Sequence, residues 1–91
     1  MEKAKVYTAD SCMQCTMTKK TMDKHSVPYD TFNIDEDEAA MDYVLAVAEE
    51  TGDRTLPLVE YEDEAWNGFR LENIKRLGAI ALAEKEYPNG L

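Results

Sequence analysis

Lys3-Ala4-Lys5-Val6-Tyr7-Thr8-Ala9-Asp10-Ser11-Cys12-Met13-Gln14-Cys15 is the stretch on which the reading of this chain turns. Lys3 to Thr8 is short and β-prone, and the Thr-Ala-Asp-Ser turn ends it. From Cys12 to about His25 there is neither Gly nor Pro, while Thr, Met, Lys and Gln abound, so a helix is expected. Cys15, Thr18 and Met22 fall on one of its faces. Two cysteines therefore open a helix directly behind a strand. Three residues along a helix rotate by about 300°, which sets the two sulfurs on neighbouring sides of the first turn, within bonding reach. Cys12 falls near the N-cap, where free backbone N–H groups and the positive end of the helix dipole favour a thiolate. Cys15, one turn in, should be more buried and less acidic. This asymmetry suits thiol–disulfide exchange, in which an exposed nucleophile attacks a partner disulfide and a second thiol resolves the mixed intermediate.

Outward from this stretch the elements alternate. Val27-Pro28 breaks the first helix, and Tyr29 to Ile34 reads as a second strand. Asp35 or Asp37 can cap a second helix that runs to about Thr51 and stops at Gly52. Met41, Val44, Leu45 and Ala48 form its expected apolar stripe, core material rather than a cofactor box. Pro57 to Tyr61 is a third strand, Glu62-Asp63-Glu64 an acidic turn, and Ala65-Trp66 a brief return strand closed by Asn67-Gly68. A last helix from about Leu71 to Glu84 presents Leu71, Ile74, Leu77 and Ala81. Residues 86–91 are expected to be a flexible tail. The order β-α-β-α-β-β-α is that of an α/β sandwich, a four-stranded mixed sheet covered by three helices. Its first two strands should be parallel, with a right-handed crossover.

Ninety-one residues, 44% of them apolar, make one core and one domain, residues 1–91. Ten basic against nineteen acidic residues give a net charge of −9, which argues against nucleic acid and against anionic membrane surfaces. Residues 31–70 carry two basic and twelve acidic groups, so the middle of the chain holds the excess acidity. This suits solvated surface, or a surface that attracts a basic partner. Leu77 to Ala83 is too short to span a bilayer, and Met1-Glu2-Lys3-Ala4-Lys5 lacks the apolar run of a secretory signal. A cytoplasmic location is the expectation.

Other uses of the cysteines fit less well. A loop of two residues gains little closure entropy from a structural disulfide. Zinc needs about four ligands, and the one other soft candidate, His25, lies about 20 Å along the helix from Cys12. Two inert buried thiols remain open. Pro57 adds weight: a proline heading a strand needs no donated hydrogen bond, and alternatively Leu56-Pro57 is a cis bond packed against the cysteine pair. The backbone of Leu56 would then be free to pair with an extended peptide.

Cys12-Met13-Gln14-Cys15-Thr16, Lys19-Lys20, Thr55-Leu56-Pro57 and Trp66-Asn67-Gly68-Phe69-Arg70 resemble the NrdH-redoxin family, small glutaredoxin-like proteins with thioredoxin-like behaviour. The resemblance spans roughly Lys5 to Leu77, and C-x-Q-C together with W-x-G-F-R is its most specific part. It implies a thioredoxin fold, a cis proline at Pro57, Cys12 as nucleophile and Cys15 as resolving thiol. It also implies a monomeric thiol–disulfide electron carrier that serves the large subunit of a class Ib ribonucleotide reductase. NADPH-dependent thioredoxin reductase, a flavin-containing partner, would re-reduce it, and the chain itself would need no cofactor or metal. Met13, Gln14, Leu56, Pro57, Trp66, Gly68, Phe69 and Arg70 are the candidate partner-binding residues. Two other classes stay open at this point: a glutathione-dependent glutaredoxin, and a non-catalytic iron–sulfur or redox-sensing module, for which two cysteines supply half a cluster site.

The chain also departs from the family pattern, which often has a basic residue near Ala9, Pro at Leu71 and an apolar residue at Glu60. Asp10 adds negative charge beside the motif, so Cys12 is expected to be less acidic than in a relative with a cation there. Residues 8–18 contain no cation, which disfavours anionic glutathione. Lys19 and Lys20 lie beyond the first turn and could still reach. Met13 and Met17 share a face, either packed on neighbouring loops or forming a soft apolar patch beside Cys12. Trp66 has two expected uses, capping the core or holding Arg70, and Arg70 can face either the acidic middle segment or an acidic partner.

Overall fold

The alternation of Lys5, Val6 and Tyr7 sends successive side chains to opposite faces of the first strand, and the fold is organised around that fact. The computed structural model describes residues 1–86; of the expected tail, residues 87–91 lie outside the described residues, and Glu86 belongs to the last helix. The elements are β1 (Ala4–Thr8), α1 (Met13–Lys24), β2 (Tyr29–Asn33), α2 (Glu38–Thr51), β3 (Leu58–Tyr61), β4 (Glu64–Asn67) and α3 (Leu71–Glu86). The sheet order is β2-β1-β3-β4. β1 and β2 are parallel, from Ala4 opposite Tyr29 to Thr8 opposite Asn33. β3 runs antiparallel to β1 and β4, with Val6 opposite Val59 and Val59 opposite Trp66.

The single core expected from the chain length is divided by the sheet into two clusters, one on each face. Val6, Val59, Tyr61 and Trp66 pack with Met22 of α1 and with Ile74 and Leu77 of α3. Tyr7 and Leu58 pack with Ala40 and Val44 of α2. Val6, Val59, Ile74 and Leu77 are fully buried, and each contributes about 1.5–3 kcal/mol by leaving water. Cys15, Thr18 and Met22 form the buried face of α1, as their spacing predicts. The buried Thr18 hydroxyl and the Trp66 indole N–H find no hydrogen-bond partner among the described residues.

Local chemistry sets the boundaries. Asp37 caps α2, its carboxylate accepting the Ala40 N–H at 3.1 Å. Gly52 ends that helix in the left-handed region at φ 78°, its N–H donating to the Ala48 carbonyl at 2.7 Å. The β3–β4 turn is Glu62-Asp63, with Glu62 at φ 53°; Asn67 ends β4 rather than closing the hairpin. Pro57 precedes β3 instead of beginning it.

Two helix faces differ from the expected stripes. α2 buries Ala40, Val44 and Ala48, while Leu45 is 48% exposed and Met41 is half-buried. Small residues let the helix lie close to Tyr7 and Leu58, which turns the larger side chains outward. α3 buries Ile74, Leu77 and Gly78, with Leu71 at the surface and Ala81 half-buried. A Cβ on Gly78 would stand 2.9 Å from the Cβ and 3.2 Å from the carbonyl oxygen of His25, so α3 crosses the end of α1 at a point only glycine fits.

Candidate active site

Parallel pairing of β1 with β2 brings the turn after β1 alongside the loop after β2, and the cysteine motif sits on that turn. Ser11, at φ 54°, swings the chain from β1 into α1. Cys12 is the N-cap in extended conformation, φ −107° and ψ 105°, and its Sγ accepts the Cys15 N–H at 3.2 Å. A sulfur thus takes the position that a Ser or Asp oxygen ordinarily fills at a helix start. Negative charge on that sulfur is favoured by the same N–H and by the helix dipole, and the first turn of α1 holds no acidic residue to oppose it. Cys12 and Cys15 are joined as a disulfide, with Cα atoms 5.2 Å apart. Cys15 is 1% exposed and Cys12 half-buried, the asymmetry expected of resolving and attacking thiols.

A second tier of contacts supports the motif. Leu56-Pro57 is cis. The Pro57 carbonyl accepts the Gly68 N–H at 2.8 Å, and the Asn67 side-chain amide donates to the Thr55 carbonyl at 2.8 Å. Gln14 Oε1 accepts the Phe69 N–H at 2.9 Å. Gly68 has φ 85°, and a Cβ there would lie 2.9 Å from Gln14 Oε1, so this approach too requires glycine. Gln14, Pro57, Gly68 and Phe69 are therefore brought together, as one support for the helix start.

The other candidate partner-binding residues divide. Met13 is 74% exposed and Met17 is also exposed, so neither packs into a neighbouring loop. Leu56 is partly buried against the α2-side core and Phe69 against the opposite one. Trp66 is 8% exposed within the core, the first of its two expected uses. Arg70 turns to its own chain: its Nε donates to the Asn67 carbonyl at 3.3 Å. The Asp53 carboxyl lies below the usual carboxylate range because the Thr55 N–H and hydroxyl donate to it and Arg70 stands near. Arg70 makes no ion pair with the acidic middle segment among the described residues.

Sequence reasoning missed Asn33 and Asp35 at this site. Asp35 Oδ2 accepts the Asp10 N–H at 2.7 Å, and the Asn33 amide donates to Asp10 Oδ1 at 3.0 Å. The signal was present in the parallel β1–β2 pairing, which sets the two following loops side by side. A groove of about 560 Å³ runs past the disulfide, with Asp10, Cys12, Met13, Lys19 and Asn33 among its walls. His25 caps the far end of α1. Among the described residues no three His, Cys, Asp or Glu side chains converge as metal ligands, and no helix is long and apolar enough to cross a membrane.

Comparison with known proteins adds the lineage. The glutaredoxin family model matches residues 4–66. The glutaredoxin-like protein NrdH of Lactococcus lactis subsp. lactis is 36% identical over 72 residues, which cover 79% of this chain and 94% of that protein. The chain belongs to the NrdH-redoxin family. The NrdH protein of Escherichia coli K12 is 35% identical over 72 residues, covering 79% of this chain and 84% of its own. The solved structure of Escherichia coli NrdH-redoxin, described there as a glutaredoxin-like protein with a thioredoxin-like activity profile, superposes with a TM-score of 0.74. It shares 33% identity and covers 84% of this chain and 95% of that one. The thioredoxin fold and the thiol–disulfide oxidoreductase chemistry of the family follow for this chain.

The geometry performs that chemistry in two displacements. In that chemistry one thiolate of the pair attacks one sulfur of a partner disulfide; a mixed disulfide forms and the other partner sulfur leaves as thiolate. The second thiol then loses its proton to solvent and attacks the first sulfur, closing the intramolecular bond, here 12–15, and expelling the second partner thiolate. Two electrons pass from the cysteine pair to the partner. Cys12 is the more exposed sulfur and Cys15 is held a helical turn behind it, so the second step is intramolecular.

Proposed function

We propose that this protein is the cytoplasmic, monomeric electron donor to the large subunit of a class Ib ribonucleotide reductase, and that NADPH-dependent thioredoxin reductase restores its dithiol. The observation that carries this reading is the surface beside Cys12: an exposed Met13 next to the leading sulfur, with no cation between residues 8 and 18. A soft apolar side chain suits docking against varied protein segments. A site that binds the anionic tripeptide glutathione needs positive charge there. The NrdH relatives, and the thioredoxin-like activity profile ascribed to the Escherichia coli protein, support the same assignment.

The test measures NADPH oxidation by a complete class Ib ribonucleotide reductase turning over a ribonucleotide, with this protein supplied with electrons by thioredoxin reductase or, in parallel, by glutathione and its reductase. Rapid oxidation in the first system and slow oxidation in the second is the expected result; the reverse overturns the proposal. One observation favours a glutathione-dependent reading instead, since Lys19 lines the groove that holds Cys12 and could meet a carboxylate. A high rate with glutathione that is lost in Lys19→Gln would establish that alternative.

A further inference from the structure

Asp10 stands two residues before the attacking cysteine, and the structure holds it in place. Its Oδ1 accepts the Asn33 amide at 3.0 Å, and its own N–H donates to Asp35 Oδ2 at 2.7 Å. Asp10 is thereby tied to the end of β2 and to the loop after it rather than left to swing in solvent. Asp10, Asn33 and Cys12 line one groove. Asp10 has no ion-pair partner among the described residues, so its charge is not neutralised on its own chain. The one cation on the walls of the groove is Lys19, on α1. A fixed and unpaired carboxylate at the mouth of a reactive disulfide biases which charged thiols approach it.

We infer that Asp10 is a specificity-determining residue of the exchange reaction: it selects thiols and partner segments that carry positive charge next to the reacting sulfur, and it disfavours those bearing a carboxylate. The inference deepens the proposed function and rests on it for the physiological partner, whose reacting cysteine should then be flanked by Lys or Arg. For the chemistry itself it needs only the 12–15 disulfide.

Small monothiols of different charge test it on the oxidised protein. A thiolate RS⁻ attacks Cys12 Sγ, the 12–15 bond breaks, and Cys15 leaves as thiolate and takes a proton from solvent. A second RS⁻ attacks the mixed disulfide, releasing RSSR and Cys12 thiolate, so two thiols are oxidised and one disulfide is reduced. Cysteamine is the cationic probe, 2-mercaptoethanol the neutral one and 3-mercaptopropionate the anionic one, with initial rates taken per thiolate by acid quench, alkylation and mass analysis. Expressing the result as a ratio of rates cancels any change that Asp10 makes in the cysteines themselves.

One unit charge about 6 Å from another in water-like surroundings is worth about threefold in rate, so the cysteamine-to-mercaptopropionate ratio should fall about tenfold in Asp10→Asn. It should fall further in Asp10→Lys, and about 1 M salt should shrink the differences. Glu49→Gln removes the same charge from an exposed position toward the far end of α2 and should leave the ratio near that of the parent protein. An unchanged ratio in both Asp10 variants, or an equal fall in Glu49→Gln, overturns the inference, the latter because net charge alone would then explain it. Thermal unfolding of each variant confirms that the fold is intact. Neither reductase enters this assay, so failure of the proposed partners and failure of charge selection are separately visible.

Discussion

Gly68→Ala tests the close approach between the loop after β4 and the cysteine motif. Gly68 sits at φ 85°, where an L side chain costs about 1–2 kcal/mol. The new Cβ would lie 2.9 Å from Gln14 Oε1 and 3.4 Å from Thr55 Cγ2. The first contact is too short to persist, and because Gln14 is a flexible side chain it yields, giving up its hydrogen bond from the Phe69 N–H, worth about 1 kcal/mol. The expected loss is about 2–3 kcal/mol, or a fall in Tm of about 10–20 °C for a domain of this size. Gln14→Ala alone loses the hydrogen bond and should cost about 1 kcal/mol. In the double variant the clash is gone and the bond cannot be lost twice. The combined loss should therefore fall short of the sum by about 1 kcal/mol, a coupling that a urea-unfolding double-mutant cycle resolves. Strict additivity, or a Gly68→Ala variant within about 0.5 kcal/mol of the parent, would refute the reasoning.

Four further outcomes are expected. Cys15→Ser should accumulate a covalent complex with a disulfide partner, visible on non-reducing gels, while Cys12→Ser should abolish turnover; turnover surviving in Cys12→Ser would reverse the assigned roles. Tyr29 and Tyr43 are both pushed up to about 12, Tyr29 first by burial and then by its hydrogen bond to Asp23, Tyr43 first by its hydrogen bond to Glu60 and then by burial. A raised phenol contributes stability fully present below about pH 10 and lost as pH climbs toward 12, so Tyr29→Phe plus Tyr43→Phe should flatten the alkaline fall of the urea midpoint. An equally steep fall in the double variant would contradict it. Thr18→Val removes a buried hydroxyl without a partner among the described residues, so stability should hold or rise by up to about 1 kcal/mol; a loss greater than that would show the hydroxyl to be satisfied. Leu77→Ala empties a fully buried site between α3 and the sheet and should lower stability by about 2–5 kcal/mol in urea, with a loss under about 1 kcal/mol pointing to a core that closes up.

The redox centre was legible because its signals are local. A strand, a turn and a C-x-x-C at a helix start occupy consecutive residues, and the N-cap role of Cys12 needs nothing from elsewhere in the chain. Element order was legible for a similar reason, since Val27-Pro28, Gly52 and Glu62-Asp63 punctuate it. The faces of α2 and α3 were less so. Met41, Val44, Leu45 and Ala48 satisfy a helical period as well as Ala40, Val44, Val47 and Ala48 do, and only the distance to Tyr7 and Leu58 decides between them. Gly78 is an interior position because α3 crosses α1 at His25, and no pattern within α3 announces that crossing. Asn33 and Asp35 belong to the site through the neighbouring parallel strand, and Gln14 through a loop far along the chain; such contacts exist only once the sheet has formed.

The burial of Trp66 turns the molecule into its own reporter. It is the chain's one tryptophan, enclosed with Val59 and Ile74 on the β4 side of the larger core. Its emission comes from a single apolar environment, blue-shifted while the sheet is intact and moving to longer wavelength when water enters. Fluorescence therefore follows the strand that leads into Gly68 and Phe69, with no label attached and no second indole to confuse the signal.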